Sequence, residues 1–162
     1  MTGEADLGPT GGAVWSRPDQ WATRRTPAGC VICKSGRPLD VIAEFETCWA
    51  TAGHQGPLPG YVCIVARKHY VEPFEMPPAE QAQFWQEAMA IAAAVDRVVN
   101  PIKMNYEIHG NTLPHLPLHL HLFPRQPDDP YVGGPIDPRR ASFTRSEKHL
   151  HLLAEGIRGA SG

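Results

Sequence analysis

The stretch Ile102-Lys-Met-Asn-Tyr-Glu-Ile-His-Gly-Asn-Thr-Leu-Pro-His-Leu-Pro-Leu-His-Leu-His-Leu-Phe-Pro-Arg125 decides the fold. Ile102, Met104, Tyr106 and Ile108 alternate with Lys103, Asn105, Glu107 and His109, the two-residue period of a half-buried strand. After the Gly110–Pro114 turn the alternation resumes, with Leu116, Leu118, Leu120 and Leu122 on one side. His115, Pro117, His119, His121 and Phe123 fall on the other, and Pro124 is expected to end the strand. The pair is expected to be antiparallel. A tight turn would set His109 near His115, Asn105 near His119 and Lys103 near His121. Proline inside a central strand loses a ladder hydrogen bond, so a bulge or a late strand start is expected near Leu116-Pro117.

Working outward, Pro77-Pro78-Ala79-Glu80 suits the first turn of a helix, where proline lacks nothing the helix needs and a carboxylate favours the dipole. The apolar stripe Phe84, Met89 (or Ala88), Ile91, Ala92, Val95 and Val98 carries that helix to about Val99, and Asn100-Pro101 ends it. Strands are expected at Val41–Phe45, Thr47–Thr51 and Tyr61–Ala66, with a Gly/Pro-rich loop at Gly53–Gly60. Cys30 to Gly36 reads as a knuckle. A last helix runs from Ser146 to about Glu155, with Gly156 as its stop. The expectation is an α+β domain, an antiparallel sheet of about five strands with a long helix packed on it. It would occupy 29–162, after an N-terminal extension at 1–28 that docks through Trp15 and Trp21.

The chain has 162 residues, a formal net charge of -2 and no dense run of Lys and Arg, which argues against a nucleic-acid partner held by many phosphate contacts. A small phosphorylated substrate needs only a few donors. Nothing in the sequence approaches the apolar length of a membrane span or the pattern of a signal peptide, so the expected location is cytoplasmic. Four cysteines in a reducing compartment are expected to be thiols or metal ligands.

The histidine strand carries the chemistry. Alternate residues lie about 6.6 Å apart along a strand, so two imidazoles can address one substrate group. Imidazole is a nucleophile and a proton carrier near neutral pH. A solvated histidine-rich strand, or an incidental metal site, would show the same spacing.

His109-Gly-Asn-Thr-Leu-Pro-His115 followed by His119-Leu-His121-Leu-Phe-Pro-Arg125 resembles the signature of the histidine-triad superfamily, in which three histidines alternate with apolar residues. The Asp129-Pro-Tyr-Val-Gly-Gly-Pro-Ile-Asp137 stretch resembles a bacterial branch. So does the order of parts: cysteine knuckle, strands, Lys68-His69, amphipathic helix, histidine strand. The resemblance covers roughly residues 28 to 158. It departs from the pattern at one place: counted back from Phe123, the first triad position is Pro117, as if two residues had been inserted. An insertion of two preserves the faces of the strand.

The resemblance implies a homodimer and a nucleotide or nucleotide-conjugate substrate. His119 matches the middle, nucleophilic histidine, which would form a nucleotidyl-histidine intermediate that water resolves. His121 matches the third histidine and would donate to a phosphate oxygen or the leaving group; Asn111 would hold the phosphate. Arg125 matches the family Pro-Arg, or closes a salt bridge. Lys103 and Asn105 are further substrate-facing candidates in the expected register. Some relatives bind structural zinc through a pair such as Cys30 and Cys33 with two histidines, here matched by His69 and His115; no organic cofactor is expected. A hydrolase is favoured. A nucleotidyltransferase resembling the galactose-1-phosphate uridylyltransferase branch, or a non-catalytic nucleotide- or metal-binding module, are the alternatives.

Overall fold

The computed structural model describes residues 16–111 and 119–160. The expected pair of strands is β5 (Lys103–Ile108) and β6 (Leu120–Arg125). They close one side of a five-stranded antiparallel sheet with β1 (Val41–Glu44), β2 (Cys48–Thr51) and β4 (Val62–Ala66), in the order β1-β2-β4-β6-β5. The short strand β3 (Gln55–Gly56), inside the predicted loop, pairs with β7 (Phe143–Thr144). Two short helices, α1 (Pro18–Arg24) and α2 (Val31–Ser35), precede the sheet, with Trp21 of α1 half-buried. The long helix α3 (Pro78–Val99) starts at the predicted prolines, and Asn100 ends it in the left-handed region at φ 50. The fold class is as expected.

Each face of the sheet has its own core. Val62, Ile64, Ala66, Leu120 and Leu122 pack under Phe84, Ala88, Ile91 and Val95 of α3. The contact uses Ala88; Met89, the other candidate, is 43% exposed. On the opposite face Cys63 and Val65 meet Trp49, Cys30 and Ile32, while Phe123 packs with Leu58 and Ile136. β4 is therefore buried on both sides, and Tyr61, one residue before it, joins the second face. A buried carboxylate ties the β1–β2 turn to α3. Glu87 accepts from the Glu46 and Thr47 amides at 3.1 and 3.0 Å and from the Thr47 hydroxyl at 2.5 Å. Burial would raise the Glu87 pKa, but the Thr47 hydroxyl, Gln83 and the Thr47 amide together hold it below the ordinary value.

The register differs from the expected one. Lys103 pairs with Arg125, Asn105 with Phe123 and Glu107 with His121, so neither Lys103 nor Asn105 sits opposite a histidine. The chain between Ile108 and Leu120 is too long for a tight turn, and the pairing slides by an even number that keeps every side chain on its face. Pro124 does not end β6; it pairs with Met104 inside the strand. The Arg125 carbonyl accepts from Ile102 on the β5 side, so the Pro124 nitrogen faces the β4 side. There β4 pairs only with Leu120 to Leu122, and no ladder bond is lost. The bulge expected near Leu116-Pro117 lies outside the described residues.

Gly156 does not stop the last helix, α4, which runs Glu147–Arg158 with the Ser146 hydroxyl capping the His149 amide. A Cβ at Gly156 would lie 2.5 Å from the Val98 side chain, so glycine lets α4 cross α3 closely. His149, in the first turn of α4, is half-buried. Arg145, just before α4, is 2% exposed, and its guanidinium donates to the carbonyls of Gly53, Tyr61 and Gln55 at 2.7, 2.6 and 3.2 Å. No helix among the described residues is long and apolar enough to cross a membrane.

Candidate functional site

On the sheet face away from α3 lies a cavity of about 760 Å³, lined in part by His109, Asn111, His119, His121, Tyr61 and Arg139. β6 supplies the central imidazole. His121 follows Leu120, which is locked in the core, and strand alternation therefore turns His121 the other way. The His119 and His121 rings lie 6.0 Å apart, centre to centre, and 15° from parallel. The observed spacing is that of alternate residues on one strand.

His121 is 7% exposed, and its Nδ1 lies 2.8 Å from the Tyr61 hydroxyl. Burial first, then electrostatic repulsion from the neighbouring His119 and His109 imidazoles, push the His121 pKa down to about 3. Burial also pushes the Tyr61 phenol well above its ordinary value, so the phenol keeps its proton. Where the phenol donates its proton to Nδ1, the neutral imidazole carries its own hydrogen on Nε2 and can offer it to a ligand. The Tyr61 ring stacks on Phe123 with centroids 5.1 Å apart, which fixes the phenol's position.

A third imidazole comes from the residue that follows β5. The His109 ring centre is 5.5 Å from that of His121, and its Nε2 is 2.8 Å from a Glu107 carboxylate oxygen. The same carboxylate oxygen accepts the Ile136 amide at 3.0 Å, which ties the following loop to the site. From that loop Asp137 and Arg139 also reach the cavity wall; Arg139 holds the Asp137 carboxyl below its ordinary value with hydrogen bonds of 3.0 and 2.9 Å. Much of the remaining wall is apolar, with Val31, Ile32, Leu39, Pro135 and Pro138.

The candidates read from sequence divide into two groups. His119, His121 and Asn111 line the cavity together. Lys103, Asn105 and Arg125 are not among its lining residues. Arg125 donates to both oxygens of Asp129 at 2.7 and 2.8 Å, to the Asn105 side chain at 3.0 Å and to the Tyr131 carbonyl. Lys103 lies on the Met104 carbonyl and over the Tyr106 ring. Tyr61, Glu107, His109 and Asp137 were not singled out from sequence. Only His109 and Glu107 carried a usable signal, since both alternate onto the polar face of β5.

The cysteine knuckle forms a separate cluster. Ligand atoms of Cys30, Cys33 and His69 all lie within 4.8 Å of one another, with Cys33 Sγ 3.4 Å from His69 Nδ1. His69 Nε2 lies 2.7 Å from the Arg25 carbonyl, an arrangement that aims Nδ1 at the thiols. Two thiols and one imidazole at this separation suit a tetrahedral zinc ion. His115, the fourth ligand expected from sequence, lies outside the described residues.

Several solved structures share the fold. A histidine triad protein from Sinorhizobium meliloti 1021 is 23% identical, aligns over 74% of this chain and 87% of its own, and gives a TM-score of 0.62. One from Bradyrhizobium japonicum is 19% identical over 75% and 90%, with a TM-score of 0.63. A zinc-bound histidine triad family protein from Mycobacterium smegmatis is 22% identical over 83% and 94%, with a TM-score of 0.55. Among curated proteins nothing matches. The sequence model of the HIT domain matches residues 35–128, more than half of the chain. This span includes the histidine strand and its partners in the sheet, and the chain belongs to the HIT-domain family.

Proposed function

We propose that the protein is a nucleotide-phosphate hydrolase in which His119 is the nucleophile. The observation that carries the reading is the near-parallel pair His119 and His121, 6.0 Å apart at one cavity, in a chain of this family. A ring nitrogen of His119 attacks phosphorus, the leaving group departs, and a nucleotidyl-histidine remains. Water then attacks the same phosphorus and releases His119. Splitting one displacement into two is covalent catalysis. His121, neutral and donating through Nε2, orients a phosphate oxygen, and Asn111 supplies a second contact. The apolar wall around Val31, Ile32 and Leu39 suits the nucleoside part.

Zinc bound by Cys30, Cys33 and His69, with His115 as fourth ligand, would be structural: four protein ligands leave it no open position for substrate. β5 is an edge strand; Ile102 just before it and Tyr106 and Ile108 on it are 69, 48 and 36% exposed, a surface that suits the homodimer.

The deciding experiment incubates the protein with an adenosine phosphoramidate and a dinucleotide polyphosphate, beside His119→Ala. Mass spectrometry after an alkaline quench should find a nucleotidyl adduct on His119. Full activity in His119→Ala would show that another residue is the nucleophile. Tight nucleotide binding without turnover would favour a binding module, and transfer to a sugar phosphate in preference to water would favour a transferase.

A further inference from the structure

We propose that His109, held by Glu107, is the general acid of this site, protonating the group that leaves phosphorus. This inference rests on the reading of His119 as nucleophile. The last described pair of the two strands is Ile108 with Leu120, so one step further His109 comes level with His119. Its ring lies 5.5 Å from His121, and it lines the same cavity as both. Among the described residues, three imidazoles thus meet at one place. The third arrives from the end of the neighbouring strand.

The three differ in what they can give. A nucleophilic His119 must hold an unprotonated nitrogen. His121 is buried against Tyr61 and neutral far below neutral pH, so it offers a hydrogen bond but no proton to transfer. Arg139 is bound by Asp137, and a guanidinium does not release a proton. His109 has a carboxylate at 2.8 Å, and its side chain is 22% exposed, which leaves it in touch with solvent. Glu107 is itself fixed by the Ile136 amide. The charged and titratable groups that bind His109 or share its cavity are Glu107 at the end of β5, His119 just before β6, His121 on it, Tyr61 and Cys63 around the start of β4, and Asp137 and Arg139 on the loop.

The steps balance. As the His119 lone pair forms the N–P bond, the bond from phosphorus to the leaving group breaks. The leaving group's electron pair takes the proton of the His109 imidazolium, which becomes neutral. In the second step the water oxygen bonds to phosphorus and the P–N bond breaks, returning its pair to His119. The water's proton goes to His109 and restores the imidazolium. One water is consumed.

General acids matter in proportion to how badly the leaving group needs a proton. Two substrates separate the roles: an alkyl phosphoramidate of a nucleoside 5′-monophosphate and the p-nitrophenyl ester of the same nucleotide, whose phenolate leaves unaided. In single-turnover measurements of leaving-group release, which read the first step alone, His109→Ala should lose about 10²–10³-fold on the first and less than about tenfold on the second. His109→Gln, which keeps a hydrogen bond to Glu107 but has no proton to give, should show the same selectivity. The ratio of the two rates within one preparation does not depend on how much of the variant is folded. Equal losses on both substrates, or no loss on either, would overturn the role of His109 while leaving the His119 reading intact. A wild-type protein inert on both would overturn that reading and this inference with it.

Discussion

The Tyr61 hydroxyl and His121 Nδ1, 60 residues apart in sequence, stand 2.8 Å apart across the β4–β6 pair. A phenol that donates to Nδ1 holds the neutral imidazole in the tautomer with hydrogen on Nε2. In Tyr61→Phe the ring remains but the donor is gone. Loss of one neutral hydrogen bond, about 1 kcal/mol, should lower kcat about fivefold with little change in KM. Nitrogen NMR of labelled histidine should show a single Nε2–H tautomer for His121 in wild type and a mixture in the variant. A wild-type His121 protonated on Nδ1 would refute the assignment.

Acid should weaken the fold through the same imidazole. His121 titrates near 3 in the folded protein, against about 6.5 for a free imidazole. Between these values the unfolded chain binds the extra proton, so the stability from the neutral ring is complete above the upper value and drains away as pH falls toward the lower. From pH 7 to pH 5 the loss should be about 2 kcal/mol at ~1.4 kcal/mol per unit. Denaturant midpoints for wild type and His121→Asn should converge as the pH falls, because the variant lacks this term. Glu87 and Asp129, both held below their ordinary values, weaken the protein in the same direction at lower pH and do so in both proteins.

Gly156→Ala should destabilise, against the usual ranking of helix formers. Alanine favours a helix interior by about 1 kcal/mol over glycine. Here its methyl would meet Val98 at 2.5 Å, and forcing α3 and α4 apart should leave a net loss of about 1–2 kcal/mol. Pairing it with Val98→Ala should recover the stability of Val98→Ala alone or exceed it. Thermal melts of the four proteins of the cycle measure the coupling, and additive effects would contradict the close crossing.

Protein purified without added metal should contain about one equivalent of zinc per chain, and Cys33→Ala should lose it. Chelation should lower the melting temperature of wild type and leave Cys33→Ala unchanged. Less than a few tenths of an equivalent in wild type would remove the site from consideration.

What could be read from the sequence follows what is periodic or local. Pro78 and the stripe through Phe84, Ile91 and Val95 place α3, and the leucines at 120 and 122 decide which side of β6 the histidines face. The register of β5 on β6 was not legible, because alternation sets parity but not which residue of the same parity lies across. Tyr61 was missed for a related reason: its role comes from a partner on another strand, and alternation within its own segment says only which face it takes. Gly156 read as a helix stop because glycine's two uses, ending a helix and admitting a close neighbour, look the same until the neighbour is known. Pro124 read as a terminator because its missing N–H was counted without knowing that the ladder with β4 ends at Leu122.

Arg145 lies beyond residue 128, where the match to the HIT domain ends, yet its guanidinium clamps three carbonyls at 53, 55 and 61 inside that match. One of the three belongs to Tyr61, the residue that sets the state of His121. A fragment cut at the boundary of recognisable similarity would discard this clamp, along with α4 and its seat on α3. The unit that inheritance marks out is thus smaller than the unit that must fold, and a minimal version of this protein should be drawn to include at least the end of α4.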